Sequence, residues 1–228
     1  MTKTATKLIS LTVALMLVVS CFALAGCGKS ASSSNAASSN NATVAPVTVA
    51  PTTPATFDSP SAYTGKKTSI EIKVKDYGTI EADLFDDLAP ITVANFKKLV
   101  NDKFYDDLTF HRIIKDFMIQ GGDPKGDGTG GSSDKIKGEF ANNGVQNNLA
   151  HTRGVLSMAR SNDPNGASSQ FFIVHKDSPH LNGDYAAFGV VTKGMDVVDK
   201  ITESVPVTDG NGTVAKSNQP VIESIRLK

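Results

Sequence analysis

The chain has 228 residues, enough for one domain of ordinary size with extensions. Lys+Arg and Asp+Glu both total 23, so charge gives no reason to expect nucleic acid or an acidic membrane as the main partner. The cysteines, Cys21 and Cys27, both fall in the first apolar region, so no disulfide braces the chain beyond residue 27; a core of this size does not need one.

The N-terminus speaks for the compartment. Lys3 and Lys7 form a short basic start, and Ile9 to Leu24 is apolar except for Ser10, Thr12 and Ser20. Basic start, apolar middle and small-residue exit describe a secretory signal peptide over residues 1–26. Leu24-Ala25-Gly26-Cys27 resembles the bacterial lipobox, which implies lipidation of Cys27 and cleavage before it. The competing reading is an uncleaved membrane anchor, since the run is near spanning length. Either way the rest of the chain is expected outside the cytoplasm. The lipid reading expects it on the outer face of the bacterial membrane.

Residues 27–65 are a different polymer, mainly Ser, Ala, Asn, Thr and Pro, with Phe57 and Tyr63 its large side chains. Such a segment buries too little apolar surface to offset its chain entropy, so a disordered tether is expected. A domain is expected over residues 66–228.

Ile70, Ile72 and Val74 alternate with polar residues, as do Ile80, Ala82 and Leu84, around Asp76-Tyr77-Gly78. This predicts a hairpin with one buried face. Pro90 opens a predicted helix to Asn101, with Val93, Phe96 and Val100 on one side. Strands are predicted at Phe110–Met118, Val155–Ala159, Phe171–His175, Ala186–Val191 and Pro220–Leu227, and a short helix at Gly194–Ile201. Many short strands, Gly-rich turns and two helices predict a mainly β fold, a closed antiparallel barrel. In an unbroken strand, Phe110, Arg112 and Ile114 share one face and His111 and Ile113 the other. Arg112 then lies among hydrophobes, where a buried arginine needs a partner that the sequence does not locate.

FHRIIKDFMIQGGD at 110–123 resembles the signature of the cyclophilins. So does GVLSMARSNDPNGASSQFFI at 154–173, followed by Leu181-Asn182-Gly183 and Phe188-Gly189. The resemblance covers about residues 66–228. It implies an eight-stranded antiparallel barrel capped by a helix at each end, and peptidyl-prolyl cis/trans isomerase activity in a groove on its outer surface. By this resemblance Arg112 is the catalytic arginine, Phe117 a wall of the proline pocket and Gln120 the residue that orients the arginine. Met118, Phe172 and Leu181 complete that pocket. Ala159, Arg160 and Gln170 lie where the family contacts substrate backbone, and His111, His180 and Tyr185 at the groove edge. His180 stands where eukaryotic members often carry the tryptophan that helps hold cyclosporin. Arg160 replaces a common asparagine.

The chemistry fits such residues. A peptide bond resists rotation by about 18–20 kcal/mol of lost resonance. No bond is made or cut, so no metal, nucleophile or cofactor is required. A guanidinium can donate to the prolyl nitrogen as its lone pair localises, and an apolar pocket can grip the ring and exclude water. Gly126-Asp127-Gly128-Thr129-Gly130-Gly131 matches G-x-G-x-x-G only formally, since no helix comes after it. His111, His151, His175 and His180 lack zinc-ligand spacing. The expected partners are proline-containing exported polypeptides and, through Cys27, the membrane, with the protein a monomer. The rival functions are a proline-segment-binding chaperone or adaptor with little turnover, and an adhesin that uses the domain as a scaffold.

Overall fold

The computed structural model describes residues 56–228. The signal-peptide, lipobox and most of the tether readings lie outside the described residues. Among the described residues, no helix is long and apolar enough to cross a membrane.

The hairpin forms as its alternation predicts. β1 (Lys67–Val74) pairs with β2 (Gly78–Phe85) in a register that sets Ile70 opposite Ala82 and Ile72 opposite Ile80. The turn takes left-handed backbone at Asp76 (φ 64°) and positive φ at Gly78 (129°), which glycine adopts without steric cost. α1 (Pro90–Asn101) comes next, burying Val93, Phe96, Leu99 and Val100. Its N-cap residue, Ala89, offers no side-chain acceptor. The buried Glu139 supplies one from across the fold, its carboxylate accepting from the N–H of Ile91 (3.1 Å) and Thr92 (2.7 Å). Those donors have no partner within the helix, and the negative charge suits its N-terminal end.

The remaining strands are β3 (Phe110–Ile114), β4 (Met118–Gly121), β5 (Val155–Met158), β6 (Phe171–Val174), β7 (Ala187–Lys193) and β8 (Ile222–Leu227), with α2 (Met195–Ser204) between the last two. They form one eight-stranded sheet in the order β3-β4-β6-β5-β7-β2-β1-β8. Every strand pairing in it is antiparallel. The sheet curls around an interior core in which the Phe96 ring meets Tyr105, Phe171 and Phe188 at 5.0, 5.4 and 5.2 Å.

The expected closed barrel is not a continuous ladder. The edges near β3 and β8 meet at an isolated bridge, Thr109 to Val221. Pro220 has no N–H to extend the pairing beyond it. The rest of the β3 edge is taken by the 212–214 loop, where Ile113 N–H donates to Gly212 O (2.8 Å) and Val214 N–H to His111 O (3.0 Å).

Two further expectations change. The single strand 110–118 is two strands, because Lys115–Phe117 turns, with Asp116 at φ 62°. His111 is also an extra residue in β3: Phe110 pairs with Gly121 and Arg112 with Gln120. This bulge shifts the alternation. Phe110 and Ile113 enter the interior core, whereas Ile114 packs in the outer cluster and Arg112 lines the outer groove. Arg112 and Phe110 therefore do not share a face.

The folded unit also begins before residue 66. Asp58 pairs with the 148–150 segment through Asp58 N–H to Asn148 O (2.7 Å) and Ala150 N–H to Asp58 O (2.9 Å). Pro60 is buried, and Tyr63 stacks on Phe85 with ring centroids 4.1 Å apart. The aromatic side chains of the expected tether add to this pairing: the Phe57 ring lies over the open side of Gly183, and Tyr63 joins the outer apolar cluster around Phe85, Met118 and Phe172.

Candidate active site

The groove is laid out by strand register. Across β3, β4 and β6, Arg112 stands beside Gln120, and Gln120 beside Phe172. The next row sets Ile114 beside Met118, and Met118 beside Val174. Side chains two residues apart on a strand share a face, so these rows are neighbours on the outside of the sheet. Above them lies a cavity of about 330 Å³.

Its apolar side is Phe117, Met118, Phe172 and Leu181, joined by Ala159. Met118, Phe172 and Leu181 are buried, and the half-buried Phe117 lies at the turn leaving β3. Tyr185 meets Phe172 edge-on at 5.9 Å. The polar side is Arg112, Gln120, His111 and Arg160, with Asp127, Gly128 and Thr213 on the loops.

Arg112 is held without any charge partner. Its Nε–H donates to the backbone carbonyl of Asn211 (2.8 Å), and Nη1 to Gln120 Oε1 (3.3 Å). None of the ion pairs among the described residues includes it. Neutral acceptors thus fix the guanidinium and leave its positive charge uncancelled beside the apolar wall. Burial pulls its pKa down from the ordinary arginine value, Tyr185 and Asp209 opposing, but arginine remains protonated.

Gln120 is held in turn. Its amide donates to Gln170 Oε1 (2.8 Å), and the Gln170 amide donates to Gly128 O (3.0 Å) and Gly130 O (2.7 Å). This chain fixes the Gln120 amide with its oxygen toward Arg112 and its nitrogen away. Gln170 does not line the cavity; it lines an adjoining depression with Ser132 and Lys135.

His111 and Arg160 line the cavity, and His180 stands outside it. Arg160 lies over the rings of Tyr185 (4.8 Å) and Phe140 (5.1 Å), and donates to Asp184 O (2.9 Å) and Ser161 O (3.0 Å). Two of its five N–H donors are committed to these carbonyls, so it braces Tyr185 as well as adding charge. His111 is buried, and neither ring nitrogen has a partner among the described residues. Burial lowers its pKa, with Arg112 adding to that and Asp123 and Asp127 opposing. His180 does not line the cavity; its exposed ring lies 5.3 Å from Phe117 at a tilt of 37°.

Sequence reasoning missed the loop that anchors Arg112. Asp209 accepts from the N–H groups of Asn211 (2.9 Å) and Thr213 (3.1 Å), shaping the turn whose carbonyl receives the guanidinium. Asp209-Gly210-Asn211-Gly212 reads as a turn, but nothing in it points to a residue 99 positions earlier. Asp123 does the same for the Gly-rich loop, accepting from Lys125, Asp127 and Gly128.

Comparison with known proteins identifies the family. Residues 69–227 match the family model described as "Cyclophilin type peptidyl-prolyl cis-trans isomerase/CLD". The chain is 50% identical over 123 residues to peptidyl-prolyl cis-trans isomerase B of Bacillus subtilis, covering 54% of this chain and 82% of that one. It is 47% identical over 146 residues to peptidyl-prolyl cis-trans isomerase-like 2 of Rhizopus delemar, covering 63% of this chain but 26% of that longer protein. Among solved structures it resembles a cyclophilin-type isomerase of Cryptosporidium parvum, at TM-score 0.63 and 32% identity, covering 72% of this chain and 98% of that one. That relative was also solved in the presence of the dipeptide Ala-Pro. With the family model matching residues 69–227, a span that takes in most of the chain and reaches all eight strands, this chain belongs to the cyclophilin-type peptidyl-prolyl cis-trans isomerase family.

Proposed function

We propose that this isomerase turns X–Pro bonds in exported polypeptides and assists their folding outside the cytoplasmic membrane, held there by lipid on Cys27. The observation that carries the catalytic part is Arg112, anchored through Nε and Nη1 by a carbonyl and an amide and in no ion pair among the described residues. The compartment rests on Leu24-Ala25-Gly26-Cys27 after a basic start and an apolar run.

The proline ring sits against Phe117, Met118, Phe172 and Leu181. The carbonyl preceding it rotates while the ring stays still. As the amide twists, the nitrogen becomes pyramidal and basic, and the guanidinium donates to it more strongly than in either planar state. Only an interaction that strengthens in the twisted state lowers the barrier. Water would stabilise the planar, more polar amide, so an apolar wall also helps. The Gln120–Gln170 chain limits reorganisation of the arginine during the turn, as preorganised donors require. The Ala-Pro dipeptide used with the Cryptosporidium relative supports a proline-containing ligand for this groove.

A protease-coupled proline-peptide assay on the full chain tests the activity, with slow thermal isomerisation as its baseline. Rates well above baseline are expected, along with faster refolding of a secreted protein limited by a cis proline. Tight capture of proline peptides with no acceleration would instead establish the chaperone or adaptor reading.

A further inference from the structure

We propose that His175 is a positioning residue for the proline pocket, holding the turn that carries Phe117 through a ring nitrogen that must remain unprotonated. The proposal rests on the reading of Phe117 as a pocket wall.

His175 lies just after β6 and touches the turn twice. Its backbone N–H donates to Phe117 O (2.8 Å). Its ring Nδ1 accepts from the Asp116 N–H (2.9 Å). The second bond fixes the tautomer: Nδ1 accepts, so the proton resides on Nε2. Nε2 lies 3.1 Å from Asp199 Oδ1 and 3.3 Å from Thr202 Oγ1, both on α2. The nearly buried ring is thus clamped between the turn and a helix.

The turn needs this support. Asp116 adopts φ 62°, the left-handed region that non-glycine residues occupy at a cost. Within the turn, the one backbone bond is Phe117 N–H to Ile114 O (3.1 Å). The groove face of Phe117 therefore depends on contacts from His175.

A proton on Nδ1 would set two N–H donors face to face. The Asp116 amide would lose its acceptor and the turn its ring contact. Charged groups face the ring from the neighbouring elements: Asp199 lies against Nε2, and Arg153 forms a two-pronged ion pair with Asp199 (2.8 Å to each oxygen) and donates to His175 O (2.7 Å). Asp177 accepts from the Arg153 backbone (2.8 Å), and Lys176 lies 3.7 Å from Asp116. Acid conditions should therefore loosen Phe117 and weaken proline binding, a coupling that a purely structural histidine would not create.

The test tracks proline-peptide affinity and kcat/KM of the full chain from about pH 5 to 8, where histidines ordinarily change charge. His175→Asn places an oxygen near the Nδ1 position and cannot gain a proton there. His175→Leu has no acceptor at all. Wild type is expected to lose peptide affinity several-fold toward acid, with KM rising more than kcat falls. The Asp116 amide resonance should shift with the same midpoint. His175→Asn should keep its pH 8 affinity across the range. His175→Leu, with folding checked by a melting curve, should bind weakly at every pH. If it fails to fold, the comparison of wild type with His175→Asn decides. An equal acid loss in His175→Asn would overturn the proposal and point to His111, His151 or His180, as would an Asp116 resonance that does not titrate. A wild type with no isomerase activity at pH 8 would defeat the catalytic reading instead, since the Asp116 titration is read without turnover.

Discussion

Arg112 and Gln120 are cross-strand partners on β3 and β4, and Gln120 Oε1 lies 3.3 Å from Arg112 Nη1. A neutral amide in that place orients a guanidinium without cancelling its charge. A carboxylate there would hold it more tightly and leave less for a substrate.

Removal of the charge should therefore act mainly on the twisted state. Arg112→Ala is expected to lower kcat/KM on the order of 10²–10³, as loss of one well-placed donor does elsewhere. Peptide affinity by NMR titration should change far less. Arg112→Lys should recover little, because one ammonium cannot replace the planar fork. Gln120→Ala removes a hydrogen bond to a charged group, about 1.5–3 kcal/mol, which bounds its loss between roughly 10- and 160-fold. A folded Arg112→Ala with most of its activity would leave the arginine a structural role only.

The rim of the pocket is expected to set drug sensitivity. His180 lies beside Phe117, at a ring distance of 5.3 Å, where a tryptophan would offer more apolar area. An indole adds roughly 50–80 Å² of contact, about 1–2 kcal/mol. Cyclosporin should inhibit this protein more weakly than a tryptophan-bearing cyclophilin, and His180→Trp should tighten it roughly tenfold. Nanomolar inhibition of the unmodified chain, measured in the isomerase assay, would contradict this.

His151 makes stability depend on pH. It is buried behind Phe172, with ring centroids 6.2 Å apart, its Nδ1 3.1 Å from Asn182 Oδ1 and its Nε2 2.9 Å from Ser157 Oγ. Burial lowers its pKa to about 4, against the opposing Asn182 hydrogen bond. An unfolded histidine titrates at about 6.5. Between those values the unfolded chain binds a proton that the native chain refuses, so stability rises with pH. This contribution is complete above about pH 6.5, declines as pH falls toward 4 and is flat below that, with an upper size of roughly 3 kcal/mol. Urea unfolding at pH 4.5 and 7.5 should show the loss in wild type and a smaller one in His151→Gln. An equal loss in both would assign the effect to other groups.

The anchor is tested apart from the fold. Cys27→Ser should abolish incorporation of a labelled fatty acid and leave unprocessed precursor or soluble protein. Isomerase activity of the purified chain should not change, because residues 56–228 contain the whole groove. A mutant that still takes up label would place the lipid elsewhere.

Local patterns determined much of this molecule. Alternation from Ile70 to Leu84 determined the hairpin, because a strand with one wet face must place its apolar residues two apart. Pro90 determined where α1 starts, since its ring suits the first turn and it lacks an N–H that would go unbonded there. The motifs around Arg112 and Gln170 named most of the groove, but through resemblance to a family, not through any periodicity of their own.

Tertiary structure decided the rest. The His111 bulge turned Arg112 away from the face that simple alternation assigns it, because one extra residue shifts every side chain beyond it. The anchor of Arg112 is a backbone carbonyl at Asn211, and a carbonyl is the same atom in every residue, so no side chain announces it. Glu139 caps a helix 48 residues before it, and His175 supports a turn 59 residues before it. Such partners meet only because strands far apart in the chain lie side by side in the sheet. The start of the folded unit was hidden for a related reason. Composition averages over a segment, whereas the Asp58 backbone bonds, the buried Pro60 and the Tyr63 stack on Phe85 are local contacts that hold only its last residues.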